Sequence, residues 1–155
     1  MTTPTITREH RDPQPFLFIR RQASHAEIAT AIGECLPRVY AHCQQHALPM
    51  AGPPITRYAK MSAGSLTLEG GFPLLEPAQG EGEIEAGELQ GGPVATAVHV
   101  GPYDTLPQTH GAIERWIEAQ GFRAMGAPWE QYLTDPGEEP DPANWRTLVV
   151  WPLEP

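Results

Sequence analysis

Glu130 stands in Pro128-Trp129-Glu130-Gln131-Tyr132-Leu133, a carboxylate inside a short apolar and aromatic stretch. If that stretch is a strand, alternation puts Glu130, Tyr132 and Thr134 on one face and Trp129, Gln131 and Leu133 on the other. A carboxylate beside rings in a partly dry site attracts organic cations, because Coulomb attraction grows as the dielectric falls and each ring adds about 0.5–2 kcal/mol of cation–π energy. A partly buried glutamate is also a candidate for general acid–base work. The same residue fits an exposed strand glutamate, or an ion pair with an arginine such as Arg57.

Other chemistry-bearing residues form weaker patterns. The six histidines, His10, His25, His42, His46, His99 and His110, are scattered. Only His42 and His46 stand at i,i+4, and with no third ligand near them in sequence they read as a helix surface pair. Cys35 and Cys43 lie eight residues apart in one expected helix, so a rise of about 12 Å separates them and they read as reduced thiols. No Ser-His-Asp order, nucleophile elbow, P-loop or dinucleotide fingerprint is present, and Gly70-Gly71 and Gly91-Gly92 read as turn pairs. No metal and no cofactor is expected.

Composition bounds what such residues can serve. The 155 residues, with 15 glycines and 18 prolines, suit one compact, turn-rich domain. A net charge of −9 opposes direct DNA binding. Between Lys60 and Arg115 there is no Lys or Arg, while Glu69, Glu76, Glu81, Glu83, Glu85, Glu88, Asp104 and Glu114 fall in that interval. This segment is either a solvated acidic hairpin or a field for cationic ligands. No apolar run approaches the roughly 20 residues of a membrane span, and Met1 to Asp12 carries no apolar signal core, so a cytoplasmic protein is expected.

The elements that must position these residues follow an internal repeat. Phe16 to Ile19 predicts a strand. A helix should start near Ser24, with Glu27 three residues on, and carry Ile28, Ile32, Cys35, Val39 and Cys43 at helical spacing. Pro37 should either kink that helix or begin a second one, the second being favoured. Strands are predicted at 55–58 and 66–69. The second half repeats the order, with a strand at 94–100, a helix at 105–120 and strands near 129 and at 147–151. A shift of 75 residues lays Gln45 on Gln120, Met50 on Met125 and Pro53 on Pro128. The expected fold is therefore α+β, with duplicated β-α-β-β units related by pseudo-twofold symmetry, an antiparallel sheet with two main helices, and a ligand cleft at the seam. The boundaries are one domain over 1–155, with repeat 1 at about 14–76, an acidic linker hairpin at about 77–92 and repeat 2 at about 93–153.

Several segments carry a resemblance. His99-Val100-Gly101-Pro102-Tyr103, the Trp116 helix, Gly126-Ala127-Pro128-Trp129-Glu130-Gln131-Tyr132-Leu133-Thr134-Asp135-Pro136 and the strand from Thr147 to Pro152 resemble the GyrI-like small-molecule-binding family. So do Gly52 to Tyr58 and Gly71-Phe72-Pro73. The resemblance runs from about Phe16 to Leu153. It implies the effector-binding scaffold of AraC- and MerR-type multidrug regulators, which holds lipophilic, often cationic ligands beside a glutamate among aromatics. Glu130 matches that glutamate. Tyr58, Phe72, Tyr103, Tyr132 and Trp151 are implied to line the cavity, with Trp116 shared between cavity and packing, and Trp129, Trp145, Phe16 and Phe18 left to packing.

No helix-turn-helix segment accompanies the module, so a stand-alone binder of lipophilic, cationic or aromatic small molecules is expected, serving sequestration or sensing. Some family members are similar to hydrolases that open cyclopropane rings of genotoxic compounds, which would make Glu130 and Tyr103 catalytic. A third reading is a gyrase-inhibitor-like interaction module. The implied partner is a lipophilic small molecule, with no DNA and no membrane; a homodimer or a regulatory protein partner stays open.

Overall fold

The computed structural model describes residues 4–155. The chain divides into two compact units. Pro13–Gln90 forms the first, named here for its helix α1, and Met1–Asp12 with Gly91–Pro155 forms the second, named for α2. Of the polar amino-terminal segment, Met1 to Thr3 lie outside the described residues.

The α1 unit contains β2 (Gln14–Ala23), α1 (Ile28–Gln45), β3 (Ile55–Ser62), β4 (Ser65–Pro73) and β5 (Ile84–Leu89). Its strands run antiparallel in the order β3-β4-β2-β5. The α2 unit contains β1 (Thr7–Arg11), β6 (Gly92–Val100), α2 (Leu106–Ala119), β7 (Trp129–Tyr132) and β8 (Arg146–Pro152), in the antiparallel order β7-β8-β6-β1. Each unit is thus a β-α-β-β repeat plus one extra strand. The α+β class and the duplication stand. β1 went unpredicted because Thr7-Arg8-Glu9-His10-Arg11 has no apolar face, a composition suited to an edge strand.

The local sequence explains these elements. Ser24 donates its backbone N–H to Glu27 Oε1 at 2.9 Å, a bond that holds the Glu27 carboxyl below its ordinary range, and a short 3-10 turn, His25–Glu27, leads into α1. α1 continues through Pro37 as a single helix, contrary to the favoured expectation of a second helix there. An interior proline costs about 3 kcal/mol, but the helix buries Cys35, Val39 and Cys43 against Leu17, Ile19, Leu66 and Leu68. Each such burial stabilises by about 1.5–3 kcal/mol, so packing outweighs the proline. Both cysteines are free, and burial pushes each thiol up.

Gly70-Gly71, read as a turn pair, lies inside β4 instead. A Cβ on Gly71 would sit 1.8 Å from the Leu17 carbonyl oxygen, so glycine is required for close strand approach, not for a turn. The 77–92 segment supplies β5 and is fastened to β2 and α1 by ion pairs. Glu85 meets Arg20 at 3.1 Å, and Glu83 meets Arg21 at 2.8 Å and Arg38 at 3.0 Å. Among the described residues no helix is long and apolar enough to cross a membrane.

Backbone hydrogen bonds fix the register of the repeat. The helices end at the equivalent caps His46 and Gln120, and Met50↔Leu74 answers Ala124↔Leu153, an offset of 74 residues through the helix end and turn. In the paired strands, Thr56↔Gly70 matches Glu130↔Val149 and Tyr58↔Leu68 matches Tyr132↔Thr147, so the last strand is offset by 79. The 75-residue shift is therefore one residue out. Its identities at Gln45, Met50 and Pro53 do not fall on structural equivalents, although Tyr58 does fall on a strand equivalent to the one that leads to Leu133.

Candidate functional site

α2 lays a buried stripe along its inner face, Leu106, Thr109, Ile113 and Ile117, and His110 stands beside Thr109 on that stripe. The strands supply the opposing side. Glu130 pairs with Val149 and Tyr132 with Thr147, so alternation places Glu130, Tyr132, Thr147, Val149 and Trp151 on the face toward α2. Tyr103 comes from the 3-10 turn Tyr103–Thr105 that leads into the helix. Buried His99 fastens this turn: its Nδ1 accepts from the Thr109 hydroxyl at 2.6 Å, and its Nε2–H points at the Pro102 carbonyl and Thr105 Oγ1 at 3.1 and 2.9 Å.

Glu130 is 3% exposed. Its Oε2 lies 2.7 Å from His110 Nε2, and its Oε1 accepts from the Tyr132 hydroxyl at 3.0 Å. Trp151 Nε1–H reaches His110 Nδ1 at 3.0 Å. An indole nitrogen can only donate, so Nδ1 is an acceptor, and the ring hydrogen sits on Nε2 and is donated to Glu130. The result is a directed chain from Trp151 through His110 to the carboxylate. Each member fixes the orientation of the next.

Aromatic rings extend this arrangement. The Tyr103 ring centroid is 5.4 Å from Tyr132 and 4.8 Å from Trp145, and Trp145 Nε1–H donates to the Glu139 carbonyl at 2.8 Å. Burial pushes the Tyr103 phenol up, and the charges of Asp135 and Glu130 add to that. It therefore stays an O–H donor at neutral pH. The Thr147 hydroxyl, on the same face, is buried without a hydrogen-bond partner among the described residues. Together these groups offer a negative charge, neutral donors and π faces, a combination suited to an organic cation or to a polarised, ring-bearing molecule.

Of the residues singled out from sequence, the α2 unit brings together Glu130, Tyr132, Tyr103 and Trp151. Trp116 packs on that unit's apolar cluster, its ring 5.8 Å from Phe122. Tyr58 and Phe72 belong to the α1 unit and pack against its cluster. Phe72 is 8% exposed, with the Tyr40 ring 5.8 Å away. Arg57, weighed as an ion-pair partner of Glu130, instead binds Glu69 at 2.7 Å. Trp145, assigned to packing, stands beside Tyr103. His110 was missed altogether. The signal that could have found it is a titratable side chain at a stripe position, three and seven residues before Ile113 and Ile117.

The model for the GyrI-like small molecule binding domain matches residues 4–154. No curated protein sequence matches the chain. Among solved structures, the EcmrR C-terminal domain is similar at TM-score 0.82 and 18% identity, covering 99% of both chains. EcmrR in its DNA complex gives TM-score 0.84 at 17% identity, and there the present chain spans 59% of the EcmrR chain. SAV2435 bound to tetraphenylphosphonium gives TM-score 0.68 at 8% identity over 97% of this chain and 94% of that one. A hydrolase from Listeria innocua gives TM-score 0.63 at 14% identity, covering 99% and 94%.

Proposed function

Because the chain belongs to the GyrI-like small-molecule-binding domain family, we propose that residues 4–154 act as one binding module for lipophilic cations, with Glu130 as the counter-charge. The observation that carries this reading is a 3% exposed carboxylate, oriented by Tyr132 and by His110, on the same face as Trp151 and near the tilted, contacting rings of Tyr103 and Trp145. In a site of reduced dielectric a carboxylate contributes more to a cation than it could at the surface, and the rings select for flat or aryl-bearing ligands. The similarity to SAV2435, named as bound to tetraphenylphosphonium, supports the same ligand class. The test is quenching of tryptophan fluorescence by a lipophilic phosphonium dye and by its neutral isostere. Low-micromolar binding of the cation with a clear preference over the isostere is expected; equal affinity for both removes Glu130 from the mechanism.

A second reading, hydrolysis of a strained or electrophilic ligand such as a cyclopropane-bearing compound, is favoured by the directed chain into Glu130. A carboxylate held by two donors is aimed to take a proton from water, while the protonated Tyr103 can donate to a leaving atom. The similar Listeria innocua hydrolase supports it. Mass spectrometry after incubation decides between the two: a ligand gaining one water marks catalysis, and an unchanged ligand marks sequestration or sensing.

A further inference from the structure

The last turn of α1 carries His42 and its C-cap is His46; their rings are 4.3 Å apart between centroids and tilted by 40°. The fold supplies the third group that the local sequence lacks. Glu81 Oε2 lies 3.3 Å from His46 Nε2 and 3.8 Å from His42 Nδ1, and the three potential ligand atoms all lie within 4.8 Å of one another. The backbone at Glu81 is held there independently of the histidines. Its N–H donates to the Ile84 carbonyl at 2.9 Å and its carbonyl accepts from Ile84 at 3.0 Å, closing a turn in which Gly82 takes a φ of 61°. Glu83 then pins this turn to Arg38 of α1.

We propose that His42, His46 and Glu81 bind a divalent transition-metal ion of the zinc class. Two imidazoles and a carboxylate are a borderline-soft donor set that suits zinc. A tetrahedral ion with bonds of about 2.0–2.1 Å needs ligand atoms about 3.3 Å apart. The two contacts of Glu81 are at or near that spacing, and rotation of His46, whose side chain is half exposed, closes the rest. The C-terminal end of α1 adds partial negative charge. Three protein ligands leave a fourth position facing solvent, and the bound ion fastens the Glu81 turn to the helix end, stabilising the chain by mass action.

The test uses the untagged full chain, dialysed against EDTA and titrated calorimetrically with zinc chloride. One equivalent is expected to bind with micromolar or tighter affinity, and His46→Ala and Glu81→Gln each to weaken it at least about tenfold. Both substitutions are at exposed positions, and circular dichroism in EDTA verifies that they leave the fold intact. Absence of saturable binding below about 0.1 mM zinc, a poor affinity for a three-ligand site, overturns the proposal. So does binding that survives both substitutions, since the ion would then sit on other histidines.

Discussion

Among the described residues one carboxylate is buried in each unit, and the two are held in opposite ways. Glu69 of the α1 unit, 2% exposed, lies between Arg57 at 2.7 Å and Arg20 at 2.7 Å. Glu130 of the α2 unit is bound by a phenol and an imidazole N–H. The structural equivalents sharpen the contrast. Where the α2 unit has Glu130, Thr147, Trp151 and His110, the α1 unit has Thr56, Leu68, Phe72 and Leu36 at the same register positions. At these positions the α1 unit is thus largely apolar, whereas the α2 unit carries the polar, ring-bearing candidate site beside its own apolar cluster. A buried carboxylate clamped by guanidiniums holds strands together; one bound by a histidine and a tyrosine is suited to meeting a ligand.

The largest effect should come from the structural carboxylate. Glu69→Gln leaves Arg57 partly buried without its counter-charge, and with Arg20 half exposed and one acceptor retained, a loss of about 2–3 kcal/mol is expected in urea unfolding. Cation affinity should not change; a parallel loss of binding would mean that the two carboxylates are not divided by role.

A smaller effect tests the relay. Trp151→Phe copies the α1 unit's residue into the α2 unit, keeping a ring and deleting the donor to His110 Nδ1. Cation affinity should fall about threefold to fivefold, the worth of roughly one hydrogen bond, and nitrogen NMR should show the His110 ring hydrogen no longer confined to Nε2. An unchanged tautomer would show that Trp151 does not orient the histidine.

The smallest effect concerns the two helix-entry turns, which open on exposed His25 in the α1 unit and on half-buried Tyr103 in the α2 unit. The Tyr103 phenol is raised above its unfolded value by burial and by Asp135 and Glu130. The native state therefore holds that proton more tightly, giving stability that is complete below about pH 10, the ordinary tyrosine value, and is lost as pH rises through the folded value. Tyr103→Phe should flatten this alkaline decline in unfolding free energy; an unchanged slope would place the titration elsewhere.

Much of this contrast was legible in the sequence. Element order, the Gly/Pro turns and the apolar spacings gave both repeats, and the strand alternation of Glu130 with Tyr132 matches the shared face on which the two side chains meet. The register of the repeat was not legible, because the matching Gln, Met and Pro lie around a turn whose length is fixed by helix caps and bridge pairs that no identity reports. Phe72 and Tyr58 resembled lining residues, and in the α1 unit they pack against its apolar cluster. His110 escaped because its partners are 20 and 41 residues further along the chain, Glu130 and Trp151, joined to it only by a helix lying on a sheet. Glu81 escaped the His42–His46 pair for the same reason.

The central claim is that Glu130 supplies charge to a cationic ligand while Glu69 supplies stability. Its most direct test is calorimetric titration of wild type and Glu130→Gln with a lipophilic phosphonium and its neutral isostere. The Tyr132 hydroxyl can turn to accept from the new amide, so the substitution keeps the local hydrogen bonding. The account predicts that Glu130→Gln weakens the cation at least about tenfold, about 1.4 kcal/mol, and leaves the neutral isostere within about twofold. Equal weakening of both ligands, or of neither, would contradict it.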